Sequence, residues 1–207
     1  MNGTLLVSGP VVAGAPLNWI IVGSGDFNGD GNITGSDKVW LFFGLRRGGR
    51  VIYALDITAP DNPLFMWKIS AETTPAKVCV ANGACTNASQ FNELGQTWST
   101  PVVGKVRANA NPVLIFGGGY DAGNPVVNTA PYAGEDAMPP GTRSMGRAVF
   151  VVDAVTANIV QSWGVGQSGP FLGSSASSMI YAIPSDVTAL NTDLDAQNYI
   201  DRLYVGD

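Results

Sequence analysis

The residues best suited to chemistry lie in the segment "SGDFNGDGNITGSDKVW", residues 24–40, where acids and amides alternate. Six of its residues match ligand positions of an EF-hand-type loop, with Asn32 contributing its backbone carbonyl: Asp26, Asn28, Asp30, Asn32, Thr34 and Asp37. Ca²⁺ takes about six to eight oxygen ligands, so alternate residues of a coiled loop must converge on one point. Gly31 permits the required turn, and Asp37 stands where a bidentate glutamate is usual. We predict a calcium site here; the alternative is a cluster of Asx turns without an ion.

A second run of oxygen-bearing residues lies in "NTDLDAQNYIDRLYVGD", residues 191–207. Alternate positions hold Asp193, Asp195, Gln197, Tyr199 and Asp201, with Tyr199 contributing its backbone carbonyl. Both runs end in similar contexts, "DKVWL" and "DRLYV", which places them in the same slot of a repeat. The intervening copy has "GKVRANANP" in that slot, without acids. The spacing predicts a second calcium site, in which Asn198 tolerates a left-handed backbone.

The elements that must position these loops are short strands that recur along the chain. "GRVIYALDITAPDNPLFMWK" (49–68) recurs as "GRAVFVVDAVTANIVQSWG" (146–164), and "SGPVVAG" recurs as "STPVVGK". Each copy predicts four strands, and four antiparallel strands form one blade of a β-propeller. A third copy begins at "MIYAIPSDVT". We therefore predict an all-β fold, a β-propeller with about two and a half four-stranded blades in this chain.

The repeat also divides the chain, which we treat as part of one propeller domain over 1–207. Its parts are blade one at about 5–70, a rim loop at 71–96, blade two at about 97–165 with a second rim loop at 122–145, and the start of blade three at 178–207. Trp67 and Trp163 recur at the repeat period, which predicts that they pack the blades. A propeller needs at least about four blades to close, so we expect the chain to belong to a larger ring.

The composition agrees with an all-β protein and excludes several functions. Charged residues make up 13% of the chain, whereas there are 26 Gly and 13 Pro. The net charge of −5 argues against nucleic-acid binding, because no basic stripe is present to release counterions. No apolar run approaches the roughly 18 residues of a membrane helix, so we expect no membrane insertion. The opening residues also lack the pattern of a signal peptide.

Cys79 and Cys85 flank an Asn-Gly pair in "KVCVANGACTN". Asn-Gly favours a tight turn, which would bring the two thiols together as a disulfide in an oxidising compartment. The alternative is a pair of free thiols in a surface loop. A zinc site is disfavoured, because the chain has no His and no second Cys pair.

Several of these segments resemble a known family. "GLRRGGRVIYALDITAPDNPLFMWKI", "ELGQTWSTPVV", "LIFGGGYD" and "DRLYVGD" are similar to the C-terminal propeller domain of PilC/PilY-type type IV pilus tip proteins. The resemblance implies an irregular, quinoprotein-like propeller in a secreted protein, at the pilus tip or on the outer membrane. It implies roles in pilus assembly, cell adhesion and twitching motility, with minor pilins of the tip complex and a host or surface receptor as partners.

The resemblance also implies that the family's calcium loop corresponds to Asp193, Asp195, Gln197, the Tyr199 carbonyl and Asp201. Gln197 stands where an acid or Asn is common in the family, which implies a lower calcium affinity. The family pattern contains no counterpart that we can assign to the opening loop.

These observations favour a calcium-stabilised interaction module that is not an enzyme. The enzyme alternative is a quinoprotein-like dehydrogenase, which the absence of His and of a paired acid and base disfavours. The other alternative is a lectin-like propeller that stacks sugars on the aromatic side chains of Phe91, Trp98 or Tyr132. The basic "RRGGR" (46–50) is interpreted as a glycine turn with solvated arginines, and the alternative is a binding patch.

Overall fold

The computed structural model describes the chain over residues 38–121, 145–165, 181–194 and 198–206, with Gln167, Met179 and the backbone of 18–25. These residues form antiparallel sheets and a single short 3₁₀ turn. The prediction of an all-β fold is therefore confirmed. The sheets of the described part do not close into a ring. Within that part, no helix is long and apolar enough to cross a membrane.

The first sheet is an antiparallel meander in which each strand pairs with the next one along the chain. Its six strands are β1 (Asn18–Gly25), β2 (Lys38–Gly44), β3 (Val51–Asp56), β4 (Leu64–Ser70), β5 (Lys77–Val80) and β6 (Thr86–Asn87). Side chains alternate between the two faces of a strand, so Trp40 and Phe42 of β2 share the buried face. Trp67 and Ile69 of β4 are fully buried on the same core.

One prediction for the first repeat is wrong in detail. The Pro-Val-Val of "SGPVVAG" lies outside the described residues, and the strand that pairs with β2 is β1, at Asn18–Gly25. The segment 71–96 was expected to be a rim loop, but it contains β5, β6 and a 3₁₀ turn at Ser89–Phe91. It is structured because Phe91 and Leu94 insert fully into the core between the two larger sheets.

The second sheet has the four strands that the repeat predicts. They are β7 (Val102–Gly104), β8 (Val113–Gly117), β9 (Ala148–Asp153) and β10 (Ile159–Gly164), in the order β10-β9-β8-β7. Every residue of β8 and β9 is buried, because both faces of this sheet are covered. Phe116 and Phe150 face the first sheet, whereas Ile115 and Val151 face the final strands. The rim loop predicted at 122–145 lies outside the described residues except at Met145.

The third repeat contributes a two-stranded sheet, β11 (Thr188–Leu190) and β12 (Arg202–Tyr204). Ile183 and Leu203 pack on the face of the second sheet that is turned away from the first. Three sheets are thus stacked face to face in chain order. Blade number and ring closure remain predictions.

The packing interpretation of the recurring tryptophans is confirmed. Trp67 is fully buried, and its indole Nε1–H donates to the backbone carbonyl of Ala154, 2.9 Å away in the second repeat. Trp163, at the equivalent place in β10, is half-buried against the core on the other face of the second sheet. Each tryptophan therefore packs its own sheet against the one that follows it.

Candidate metal centre

The opening loop lies outside the described residues, with all six of its predicted ligands: Asp26, Asn28, Asp30, Asn32, Thr34 and Asp37. The structure does describe the strands on either side of it. Gly25, the last residue of β1, pairs with Lys38, the first residue of β2. The segment 26–37 therefore connects two adjacent antiparallel strands, so its two ends are held together.

The second predicted loop connects β11 to β12, and the structure describes Asp193, Tyr199 and Asp201, whereas Asp195 and Gln197 lie outside the described residues. Thr192 closes this loop by donating twice to the Asp201 carboxylate. Its backbone N–H lies 2.9 Å from Oδ1, and its hydroxyl lies 2.7 Å from Oδ2. Asp201 N–H in turn donates to the carbonyl of Leu190 over 3.0 Å. The two ends of the predicted ligand series are thereby brought together.

The closing hydrogen bonds also determine the electrostatics of the loop. The backbone hydrogen bond from Thr192, followed by the one from its hydroxyl, lowers the pKa of Asp201. The carboxylate is therefore available at neutral pH as an anionic oxygen ligand. Leu194 and Asn198 have positive φ angles of 50° and 54°, so the loop turns sharply at two places. The left-handed conformation expected of Asn198 is confirmed.

Arg107 is a neighbour of this loop that sequence reasoning missed. Its Nη2 lies 2.9 Å from Oδ2 of Asp193, and its guanidinium carbon lies 5.2 Å from the centroid of the Tyr199 ring. Tyr199 forms a parallel bridge with Lys105, and Ile200 N–H donates to the Lys105 carbonyl over 2.8 Å. The segment 105–107 follows β7 and belongs to the slot of the second repeat that contains no acids. This slot therefore places the cation Arg107 beside the predicted calcium loop of the third repeat.

The donor set of this loop has the chemistry that calcium requires. Its members offer carboxylate, amide and carbonyl oxygens, and Ca²⁺ prefers such hard ligands. Among the described residues, no group of three or more His, Cys, Asp or Glu side chains is placed to hold a metal ion. Asp193 and Asp201 supply two carboxylates, and the other predicted ligands are the carbonyl of Tyr199 and the side chains of Asp195 and Gln197. Arg107 pairs with Oδ2 of Asp193, so a cation that uses this oxygen competes with Arg107 for it.

The two other recurring carboxylates serve the turns that follow β3 and β9. Asp153 accepts hydrogen bonds from the side-chain amides of Asn109 and Asn111, at 2.9 and 3.0 Å. Its other oxygen accepts from the backbone N–H groups of Val155 and Thr156. Burial raises the pKa of Asp153, but these four hydrogen bonds together lower it further than burial raises it. Both carboxylate oxygens thus accept hydrogen bonds that stabilise the turn after β9.

Asp56 has the same role after β3. One of its oxygens accepts from the backbone N–H of Thr58 over 2.9 Å, and Lys38 lies 3.7 Å from the other. Burial raises the pKa of Asp56, but the hydrogen bonds to Thr58 and the charge of Lys38 lower it overall. The aspartate that ends this strand in each repeat is therefore a turn-forming residue.

The arginine of each recurring Gly-Arg pair holds the segment that joins the two large sheets. Arg50 donates from Nε to the Leu94 carbonyl over 2.7 Å and from Nη2 to the Asn92 carbonyl over 2.9 Å. Arg147 makes a two-pronged ion pair with Glu93, at 3.0 and 2.8 Å. Burial lowers the pKa of Arg50, and nearby carboxylates oppose that change. Part of the "RRGGR" prediction is therefore wrong, because Arg50 is a structural donor and not a solvated arginine.

The aromatic side chains proposed for sugar stacking occupy different environments. Phe91 is fully buried, so it offers no face to a ligand. Trp98 is partly buried, and the guanidinium carbons of Arg46 and Arg47 lie 4.9 and 5.9 Å from its ring centroid. Tyr132 lies outside the described residues. The candidate sugar-binding set therefore does not form a shared exposed surface within the described part of the chain.

Cys79 and Cys85 are joined by a disulfide across the turn between β5 and β6. Cys79 is buried, whereas the turn residues themselves are exposed. Asn82 has a positive φ of 55°, which is the conformation that an Asn-Gly turn requires. The disulfide thus closes the hairpin that extends the first sheet.

Comparison with known proteins finds a similar solved structure. No protein-family model and no curated protein sequence matches the chain. Among solved structures, the chain is similar to the crystal structure of the Pseudomonas aeruginosa PilY1 C-terminal domain, with a TM-score of 0.52 and 17% sequence identity. The match covers 91% of this chain and 28% of that structure, so the chain spans about a quarter of its length. The chain therefore shares the fold of part of the PilY1 C-terminal domain.

Proposed function

We propose that this chain is a calcium-binding β-propeller module of a type IV pilus tip or assembly protein. It acts by protein–protein interaction in pilus biogenesis, adhesion and twitching motility, in a secreted protein at the pilus tip or cell surface. The fold shared with the PilY1 C-terminal domain supports the pilus assignment. Its partners are then the minor pilins of the tip complex and a host or surface receptor.

The observation that carries the calcium proposal is the closure of the loop over residues 193–201. The two hydrogen bonds from Thr192 hold the residue that precedes Asp193 against Asp201, the last member of the oxygen series. Calcium bound by Asp193, Asp195, Gln197, the Tyr199 carbonyl and Asp201 would fasten β11 to β12. Calcium at the opening loop would fasten β1 to β2 in the same way. The ion therefore has a structural role in stabilising hairpins, and its binding adjusts the surface that partners contact.

Titration calorimetry of the chain with Ca²⁺ tests this function. We expect the Asp37→Ala, Asp201→Ala double variant to lose calcium binding, because each substitution removes a carboxylate ligand. Asp61→Ala is the matched control, since Asp61 is an exposed acid outside both loops and its loss leaves calcium binding unchanged. If the double variant binds calcium like the unmodified chain, the calcium proposal is wrong.

Chelation provides a second test of the same function. A ligand present at about a hundred times its dissociation constant stabilises the folded state by about 2.7 kcal/mol. For a chain of this size, that free energy corresponds to a rise in melting temperature of roughly 5–10 °C. We expect a chelator to remove this increment, and an unchanged melting temperature argues against a structural ion.

The two alternative functions have less support. A quinoprotein-like dehydrogenase requires groups that move protons, but Asp56 and Asp153 are engaged in turns. A reconstituted sample that shows quinone absorbance would favour this enzyme over the scaffold. The lectin alternative has less support because Phe91, one of its candidate sugar-stacking residues, is buried in the core. Glycan binding that survives mutation of both calcium loops would revive it.

A further inference from the structure

A cavity of about 190 Å³ lies between the second sheet and the final strands of the chain. Its lining is mostly apolar and comes from both sides, with Val106, Ile115, Val151, Trp163 and Leu203 among the residues that form it. Of the predicted calcium ligands that the structure describes, Asp201 alone is among the residues that line this cavity.

Gln161 of β10 is the polar residue of this cavity. It pairs with Val151 across the sheet and is only 5% exposed. Neither its Nε2 nor its Oε1 has a hydrogen-bond partner in the described part of the chain. Buried polar side chains are nearly always hydrogen-bonded, because an unpaired donor or acceptor loses its water without compensation. A buried carboxamide with both ends unpaired therefore indicates a missing partner.

A water or a polar group of a ligand is the kind of partner that such a carboxamide accepts. A buried water needs about two to four polar neighbours, and the other polar side chains of the lining are those of Asp201 and Arg202. Both already form hydrogen bonds to other groups of the protein. Asp201 accepts from Thr192, and Arg202 Nη1 donates to the Asp201 carbonyl over 2.9 Å. The site is thus a half-open pocket with a mostly apolar lining and one group that both donates and accepts.

We propose that this cavity binds a small molecule that has an apolar body and a primary amide. Two carboxamides pair head to head, so the amide of the ligand would satisfy Nε2 and Oε1 of Gln161 together. A dry apolar cavity of about 150 Å³ accommodates benzene, so this slightly larger cavity has room for a ring of that size and its amide. The apolar ring would pack against Trp163 and Leu203. This proposal does not rest on the calcium or the pilus proposal, and it shares one residue, Asp201, with the predicted calcium loop.

Titration of the chain with benzamide, followed by ¹H–¹⁵N NMR, tests the proposal. The side-chain NH₂ signals of Gln161 are assigned by their absence in Gln161→Leu, and the Trp163 indole signal by its absence in Trp163→Phe. We expect both sets of signals to shift, with a dissociation constant of about 0.1–1 mM for a ligand of this size. Toluene, which lacks the amide, binds more weakly to the unmodified chain.

Variants distinguish a site built around Gln161 from nonspecific binding. We expect Gln161→Leu to weaken benzamide binding at least about fivefold, because the apolar residue cannot pair with the amide. The same variant keeps its affinity for toluene, which shows that the cavity is intact, and Gln161→Met is a second variant of similar length. Gln90→Leu, at an exposed glutamine, leaves benzamide binding unchanged. Equal benzamide affinity in the Gln161 variants, or no shift of the Gln161 signals at about 10 mM benzamide, overturns the proposal.

Discussion

The ion pair between Arg147 and Glu93 tests how the segment between the two large sheets is held. Its two hydrogen bonds measure 3.0 and 2.8 Å, and the two side chains are 17% and 13% exposed. Removing one partner of a fully buried pair costs about 3–5 kcal/mol, whereas an exposed pair contributes about 0.2–1 kcal/mol. Because this pair is mostly but not fully buried, we expect Glu93→Gln to lower the free energy of unfolding by about 2 kcal/mol.

Urea and thermal denaturation measure this effect. A loss of about 2 kcal/mol lowers the melting temperature by roughly 4–8 °C for a chain of this size. A double-mutant cycle with Arg147→Gln isolates the pair, and we expect a coupling energy of at least about 1 kcal/mol. Lys38→Gln is the control, because Lys38 is 47% exposed and lies 3.7 Å from Asp56, so its effect stays within about 0.5 kcal/mol. A Glu93→Gln variant as stable as the unmodified chain, or a coupling energy near zero, refutes this reasoning.

Three further predictions follow from single side chains. Trp67→Phe should destabilise the chain by about 2 kcal/mol in urea denaturation, since it leaves the carbonyl of Ala154, in the turn after β9, without its indole donor. Trp163→Phe, at the half-buried equivalent position, should cost less. Because the pKa of Asp153 is lowered in the folded chain, the free energy that this carboxylate contributes to folding is complete above the usual aspartate pKa of about 4. That contribution is lost as the pH falls through the lowered pKa. Asp153→Asn should therefore make the free energy of unfolding less dependent on acid pH, and an unaltered pH profile would contradict this prediction. Arg107→Gln should tighten calcium binding about two- to fivefold in calorimetry, because its ion pair with the metal loop competes with the ion, and the same charge change in Arg202→Gln should have a smaller effect.

Much of the strand pattern could be predicted from the sequence, because local patterns encode it. The strands β2 to β4 and β8 to β10 are apolar runs bounded by Gly and Asp, and the repeat aligns them with one another. The strands β5 and β6 were missed because they are short and lie in a polar segment. Their stability depends on burying Phe91 and Leu94, which is a tertiary effect.

The surroundings of the candidate site were less predictable. The alternation of oxygen-bearing residues indicated the loop at 193–201, and the Asn-Gly pair indicated the turn between the two cysteines. The contact of Arg107 with Asp193 joins residues that are 86 positions apart, and it depends on how two hairpins stack. The same holds for Glu93 and Arg147, separated by 54 positions. No local sequence pattern indicates pairs of residues so far apart in the chain. The occurrence of Arg50 and Arg147 in equivalent Gly-Arg motifs did indicate that these two arginines have a common structural role.

Anomalous difference density from a crystal grown with calcium tests the central claim, that the chain binds calcium at the loop over residues 193–201. We predict a peak about 2.3–2.6 Å from the carboxylates of Asp193 and Asp201 and from the carbonyl of Tyr199, with Arg107 displaced from Asp193. A map without a peak at saturating calcium, in which Arg107 remains paired with Asp193, would contradict the account.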